Sequence, residues 1–311
     1  MLYKPIATIK RNNNRIPLPR GGIFYSKKIH MKKVAIQGTL GSYHDIAAHN
    51  YFGQENITLE CCSTFADVFK HIKENNLSLG MLAIENTIAG SLLQNHELLR
   101  DSNTRIIGEY KLRISHCLAC LPDEGWENLT EVNSHPIALM QCRDFLDSHP
   151  TLKVVETEDT AMSAETIRKN RLHGHAAICS KAAAQLYGMK VLQEGIETNK
   201  HNFTRFLVVA DAWKADEMRH KEAPIDKASI VFSLPHTEGS LSQVLSILSF
   251  YKMNLTKIQS LPIIGREWEY LFYVDLTFND YLRYRQALDA ISPLTKELKI
   301  LGEYASFKTN C

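Results

Sequence analysis

The 311-residue sequence contains no apolar run near the ~18 residues needed to cross a bilayer, so no membrane association is expected. Its first 30 residues also lack the continuous apolar stretch of a secretory signal, which leaves the cytoplasm as the default compartment. A disulfide framework is missing too. The seven cysteines are scattered, an odd number with one at the terminal Cys311, and they read as reduced thiols. Cys117 and Cys120 have the spacing of a metal pair, yet His116 to Leu121 reads as a strand, in which positions three apart face opposite ways. With no second Cys/His pair of matching spacing, no metal is expected. Acids are absent from residues 1–30, which carry Lys4, Lys10, Arg11, Arg15, Arg20, Lys27 and Lys28. Subtracting these from the chain's 36 Lys and Arg leaves 29 basic residues against 34 acidic ones, a net of −5 that argues against nucleic acid as a partner. Met31-Lys32-Lys33-Val34-Ala35-Ile36 has the form of a fresh start running into a strand, so residues 1–30 are expected to be a basic, flexible extension upstream of the folded chain.

What is present, 44% apolar and 23% charged residues, suits two or three soluble domains. Val34 to Ile36 reads as a strand and Gly38-Thr39-Leu40-Gly41-Ser42 as the turn leaving it. Those glycines do not follow G-x-G-x-x-G, so a nicotinamide cofactor is not expected. Ser42 with Asp45 caps a helix that runs to Phe52, and a second helix covers Phe65 to Asn76. Leu79 to Ile84 is a buried strand that delivers Glu85-Asn86-Thr87 to its carboxyl end, where open α/β sheets bind ligands. Gly90-Ser91 opens the next helix; Thr87 and Ser91 are caps or binding hydroxyls on this pattern. A strand-like crossover, Ile106 to Leu121, leads into a second lobe of about residues 109–190. There Ser134-His135-Pro136 opens one helix, 137–148, carrying Gln141 and Cys142. Asp159-Thr160-Ala161 starts another, and Ser180 caps a third that Gly188 stops. The first lobe takes residues 31–108 and 191–212, and Asn202-Phe203-Thr204-Arg205-Phe206 leads a buried strand back into it. Two discontinuous lobes joined by crossing strands define the α/β fold of type II periplasmic binding proteins, with a cleft between the lobes. After a linker at 213–227, residues 228–306 follow the order β-α-β-β-α-β of a ferredoxin-like α+β domain. Such a small sheet leaves an edge and a helix face for self-association, so a homodimer or homotetramer is expected.

These motifs carry a resemblance. From Val34 onward the chain resembles prephenate dehydratases that end in an ACT regulatory domain. The likeness runs through Gly41-Ser42-Tyr43, Ile84-Glu85-Asn86-Thr87 with Gly90-Ser91, Ser134-His135-Pro136 with Gln141-Cys142, Asp159-Thr160-Ala161, Ala176-Ala177-Ile178 with Ser180, and Asn202-Phe203-Thr204-Arg205-Phe206. It implies conversion of prephenate to phenylpyruvate, with loss of water and carbon dioxide, in L-phenylalanine synthesis and without metal or organic cofactor. Thr204 is then the catalytic donor to the departing hydroxyl. Asn86, Thr87, Gln141, Asn202 and Phe206 bind substrate, with Ser42, Ser134, Thr160 and Ser180 as further donors, each of them equally a plain helix cap. Arg205 either pairs a substrate carboxylate or forms a structural ion pair with an acid such as Glu85. L-Phenylalanine is the implied allosteric effector, held at the ACT dimer interface near Gly239, Ser240, Leu241, Asn254 and Gln259.

The chain also departs from the family pattern. His44 stands where a serine is common, Ala83 where a proline precedes Ile-Glu-Asn, and Thr87 where serine is commoner. Gln259-Ser260-Leu261-Pro262 replaces Glu-Ser-Arg-Pro and so lacks two charges associated with the effector. Arogenate dehydratase shares the same motifs and differs in the substrate side chain. A non-catalytic amino-acid sensor is a third reading, and it has no use for the Thr204 hydroxyl.

Overall fold

The computed structural model describes residues 31–308 except 55, 76–77 and 220–223, so the extension expected at 1–30 lies outside the described residues. Strand β1 (Lys32–Gln37) is followed by helix α1 (Tyr43–Phe52), whose N-cap Ser42 accepts from the Asp45 N–H. Strand β2 (Ile57–Cys62) enters α2 (Phe65–Glu74) through a reciprocal capping box of Thr64 and Asp67. The buried β3 (Leu79–Asn86), the short β4 (Gly90–Ser91), α3 (Leu93–Asp101) and β5 (Thr104–Arg113) complete the first pass.

The chain then crosses into a second sheet with β6 (Cys117–Cys120), β7 (Glu131–Ser134), α4 (Pro136–Gln141), α5 (Arg143–Asp147), β8 (Lys153–Glu156), α6 (Thr160–Asn170), β9 (His175–Cys179), α7 (Lys181–Leu186) and β10 (Lys190–Glu194). Its strand order is β10-β6-β9-β7-β8. Strand β11 (Phe203–Asp211) returns to the first sheet and lies antiparallel between β5 and β3. Helix α8 (Ala212–Arg219) follows it. The C-terminal part contributes β12 (Lys227–Ser233), α9 (Ser240–Phe250), β13 (Asn254–Pro262), β14 (Tyr270–Thr277), α10 (Tyr281–Ile291) and β15 (Lys299–Tyr304). Its strands pair in the order β13-β14-β12-β15, all antiparallel, which is the ferredoxin-like arrangement.

Several elements differ from the sequence reading. The helix expected over 137–148 is two, α4 and α5, broken where Cys142 takes φ −105° and ψ 26°. The strand-like crossover is also two elements, and β5 stays with the first sheet through Arg113 before the chain crosses at Ile114 to His116. Residues 191–194, expected to lead back to the first lobe, pair antiparallel with β6 in the second sheet. Strand β2 was not anticipated; it runs parallel to β1 over its whole length. Helix α8 occupies the start of the expected linker, because Ala215 is buried against the core formed by β1, β3 and α1.

The two sheets are not the whole architecture. The edge strand β15 runs parallel to β5 with Gly302 opposite Ile106, so the first-lobe and C-terminal strands form one continuous ten-stranded sheet. Helices α9 and α10 cover one face of its C-terminal half, with Val244, Leu248, Tyr284 and Leu288 buried on Ile230 and Phe232. The opposite face shares its core with the first lobe, where Leu207 and Val209 lie in one cluster with Val231, Tyr273, Leu301 and Tyr304. Gly302 is what lets the strands meet, since a Cβ there would stand 2.3 Å from the Ile106 carbonyl oxygen. Gly302→Ala is therefore expected to push β15 off β5 and destabilise the protein by about 1–3 kcal/mol, the usual cost of overpacking. Denaturant titration measures this, and a loss below about 0.5 kcal/mol would show that the seam yields without strain.

Candidate active site

The cleft lies where the two lobes are joined, and two crossing segments form its floor. Ile114 N–H donates to the Asn202 carbonyl (2.8 Å) and Ile196 N–H to the His116 carbonyl (3.1 Å), so the outgoing and returning chains are tied together. Buried Glu197 accepts from the His116 N–H at 2.9 Å and fixes the same corner. On the opposite rim the turn before α1 docks on α7. Ser180 Oγ donates to the Gly41 carbonyl (2.7 Å) and the Tyr187 hydroxyl to the Leu40 carbonyl (2.9 Å). Gly41 has φ +83°, and a Cβ would stand 2.8 Å from Ala183 Cα, so both backbone shape and space require glycine there.

A cavity of about 250 Å3 sits between these contacts. Ser42, Asn86, Gln141, Thr160, Thr204 and Phe206 all line it, from α1, β3, α4, α6 and β11. One hydrogen-bond chain runs along its wall. Asn86 Nδ2 donates to Thr204 Oγ1 (3.0 Å) and to Asn202 Oδ1 (2.8 Å), while Asn202 Nδ2 donates to Gln141 Oε1 (2.9 Å). His116 Nε2 lies 2.9 Å from the same Gln141 oxygen, and the Tyr43 hydroxyl 2.9 Å from His116 Nδ1. Asn86 Oδ1 is held in turn by the Ile88 and Ala89 N–H groups. The orientation of Asn86 is thus fixed from both ends, and with it the lone pair it occupies on Thr204. The Thr204 hydroxyl has no acceptor of its own among the described residues, so its proton is free to point into the cavity.

Other residues expected at the site lie elsewhere. The Thr87 hydroxyl donates to the His201 carbonyl and accepts from the Phe203 N–H, both at 2.9 Å, clamping the returning segment. Asn202 is fully buried behind the cavity wall as the link between Asn86 and Gln141. Ser134 Oγ donates to the Ile178 carbonyl (2.6 Å) and Ser180 caps α7, so both hydroxyls are used within the fold. Ser42 and Thr160 do line the cavity; the dipole of α1 favours negative charge at its first turn, whereas the first turn of α6 is already capped by the Asp159 carboxylate, which accepts from the Ala161 and Met162 N–H groups.

Arg205 settles on its ion-pair alternative. Neighbouring residues on a strand face opposite ways, so it points away from Thr204 and into the seam with the C-terminal strands. It is 5% exposed; Nε lies 2.6 Å from Glu109, Nη1 3.1 Å from Glu85 and against Asp275, and Nη2 3.0 Å from the Tyr304 hydroxyl. Lys227 reaches Glu109 at 2.8 Å and Lys257 reaches Glu85 at 2.9 Å. Burial pushes all three carboxyls up, but the cations outweigh it: Lys257 and Arg205 for Glu85, Arg205 and Lys227 for Glu109, Arg205 with the Ser229 hydroxyl for Asp275. All three end below the usual carboxylate range.

Sequence reasoning passed over several cavity residues. Tyr43, His44, His116 and His135 all line it. Burial lowers the pKa of His44 to about 4 and lowers those of His116 and His135, so these rings are neutral at pH 7. In the sequence Tyr43 and His135 belong to the Gly-Ser-Tyr and Ser-His-Pro motifs and His44 follows the first of them, whereas His116 carries no motif signal. Among the described residues no Lys or Arg lines the cavity, whereas Glu158 and Asp159 do. A larger cavity of about 420 Å3, between β5, α8 and β15, holds none of the expected site residues. The residues expected to hold an effector are spread over the C-terminal domain. Gly239 and Ser240 start α9, Leu241 packs into its core, and Asn254 and Gln259 lie on the outer strand β13.

Fold and cavity together define a two-lobed α/β protein of the type II binding-protein topology, with a cleft lined by neutral hydrogen-bonding groups and two carboxylates and with a fused ferredoxin-like domain. The prephenate dehydratase family model matches residues 34–214. The bifunctional chorismate mutase/prephenate dehydratase of Escherichia coli (strain K12) is 32% identical over 281 residues, 89% of this chain and 72% of that protein. Arogenate dehydratase 1 of Petunia hybrida is 35% identical over 90% of this chain and 68% of its own length. Among solved structures, prephenate dehydratase from Arthrobacter aurescens in complex with L-Phe superposes with a TM-score of 0.77 at 25% identity, covering 88% of this chain and 89% of that one. The chain belongs to the prephenate dehydratase family.

Replacing Arg205 by methionine leaves three carboxylates facing two lysines, and breaking a buried pair in this way costs about 3–5 kcal/mol. The carboxyl pKa values are depressed in the folded state. Their stabilisation is therefore present above the unfolded value of about 4 and lost as pH falls through the folded values. The gap between wild type and Arg205→Met is expected to be widest at neutral pH and to close below about pH 4, measured by urea unfolding across pH. A gap that stayed constant with pH would assign the loss to packing instead of charge.

Proposed function

We propose that this protein is a prephenate dehydratase, converting prephenate to phenylpyruvate by coupled loss of carbon dioxide and the ring hydroxyl. The carrying observation is the Thr204 hydroxyl, whose lone pair is occupied by Asn86 so that its proton faces the cavity. As the ring carboxylate leaves as carbon dioxide, its bonding electrons move into the ring and the hydroxyl opposite departs, taking a proton drawn ultimately from solvent to become water. Thr204 is too weak an acid to supply that proton by its pKa. It acts as a positioned hydrogen-bond donor to the leaving oxygen, in a site where fixed dipoles do most of the work. Ser42, Thr160 and the first turn of α1 face the substrate's negative charge. Aromatisation supplies the driving force.

A second reading, arogenate as substrate, has its own support. The lining carboxylates Glu158 and Asp159, in a cavity without Lys or Arg, suit an ammonium group, and the Petunia relative is an arogenate dehydratase. The C-terminal domain is read as an ACT domain that takes L-phenylalanine near Gly239, Ser240, Leu241, Asn254 and Gln259 between two copies of the chain. The Arthrobacter structure with L-Phe, the open edge of β13 and the exposed face of α9 around Leu241 and Leu245 support that reading.

Phenylpyruvate formation from prephenate and from arogenate tests the reading, with the larger kcat/KM naming the substrate. Thr204→Val is expected to lower kcat about 10²–10³-fold and Thr204→Ser to retain much of it. A valine variant at full rate would remove Thr204 from the mechanism. L-Phenylalanine is expected to inhibit the wild type, and Asn254→Ala to weaken inhibition while leaving assembly and uninhibited turnover intact; equal inhibition in both would place the effector elsewhere.

A further inference from the structure

His44 and Ala83, two positions at which the chain departs from the family pattern, touch each other. The Ala83 N–H donates to His44 Nε2 at 3.3 Å. This contact sits at a β-bulge, where pairing of β3 with β11 shifts between Arg205 and Phe206, and the Ala83 carbonyl is likewise taken by a side chain, Asn95 Nδ2 at 2.7 Å. A proline at 83 would have no N–H to give. With Nε2 occupied as an acceptor, a neutral imidazole must carry its proton on Nδ1. Burial holds the ring neutral, and its orientation is fixed by edge-on packing against Phe206 (5.1 Å, 85°) and a tilted contact with Phe65 (5.5 Å). Nδ1 has no acceptor among the described residues and is not among the buried atoms left without a partner, so its proton faces the cavity that the ring lines. Phe206 and Thr204 lie two residues, about 7 Å, apart on one face of β11, and both line the cavity together with His44.

We propose that His44 is a substrate-contacting donor, whose Nδ1–H binds a carboxylate or carbonyl oxygen of the substrate while Thr204 engages the leaving hydroxyl, with the Ala83 N–H selecting the tautomer that makes this contact. The inference rests on the dehydratase reading above. Three variants separate the ring's two nitrogens. His44→Phe keeps the ring packing and removes both; kcat/KM is expected to fall about ten- to hundred-fold, the value of one hydrogen bond to a charged group. His44→Asn places an amide N–H near the Nδ1 position and is expected to recover most of that loss. His44→Gln keeps an acceptor for Ala83 without the Nδ1 donor and is expected to recover little. A folded His44→Phe enzyme within two-fold of wild type, or rescue by Gln and not by Asn, overturns the proposal. The imidazole 15N shifts of the wild-type protein give a readout independent of the variants. Protonated Nδ1 and bare Nε2 at pH 7, with the Nδ1 signal moving on substrate addition, are expected; the reverse tautomer overturns it. A wild type that turns over neither prephenate nor arogenate removes the dehydratase reading itself, whereas an active wild type beside an unimpaired His44→Phe removes only the role of His44.

Discussion

The buried charge cluster around Arg205 is the constraint on which the arrangement of domains depends. Arg205, Glu85 and Glu109 come from three adjacent strands of the first lobe, and Lys227, Lys257, Asp275 and Tyr304 from all four strands of the C-terminal sheet. Such a cluster contributes little net stability against an apolar replacement, because desolvation offsets attraction. What it does confer is specificity of docking. Any slip of the C-terminal sheet along β5 leaves a buried charge without its partner, and the apolar core shared across the seam has no comparable preference for register. The close approach at Gly302 sets the same register sterically. In the proposed function this matters because Arg205 is the chain neighbour of Thr204. One peptide unit separates the side chain aimed at substrate from the side chain that grips the C-terminal domain.

On the cleft side of the same strand, precision comes from amides. Asn86, Asn202 and Gln141 each serve as donor and acceptor, and they belong respectively to the first lobe, the crossing segment and the second lobe. A rotation of the lobes about the crossing segments would break this chain of bonds. In the proposed function the Thr204 hydroxyl is therefore correctly aimed only when the lobes stand as they do here. Glu197, buried beneath the crossing, anchors the His116 end of the chain in the same way.

Much of this was legible in the sequence where the signal is local. Ser42, Asp159 and Ser180 were read as helix starts and each accepts from the first turn of its helix, since capping needs only a hydroxyl or carboxylate two or three residues ahead of free N–H groups. The β-α-β-β-α-β order was also readable, because each strand alternates or is wholly apolar between clear turn residues. Nonlocal features were not. The acids that claim Arg205 lie 96 and 70 positions away for Glu109 and Asp275, and no spacing rule connects them. Strand alternation alone does show that Thr204 and Arg205 cannot face one cleft together. Strand β10 was misplaced because a short strand carries no mark of which sheet it joins, and α8 was passed over because its polar surface hides the single buried Ala215.

The cavity's charge pattern bears on how such a site would accelerate decarboxylation. A guanidinium clamped on the departing carboxylate would stabilise the substrate more than the transition state, in which that charge is flowing into the ring, and uniform or ground-state binding adds nothing to kcat. Among the described residues the lining includes no Lys or Arg, its charged members are Glu158 and Asp159, and burial keeps His44, His116 and His135 neutral. In the proposed function, orientation then falls to dipoles, namely the N-terminal turn of α1 and the proposed donors Thr204 and His44. These hold a substrate in place without a full positive charge to anchor the group that must leave. The strong cations of the neighbourhood sit instead on the far face of β11, balanced by Glu85, Glu109 and Asp275. In the proposed function the fold thus keeps these cations where they register the domains and leaves neutral donors where bonds break.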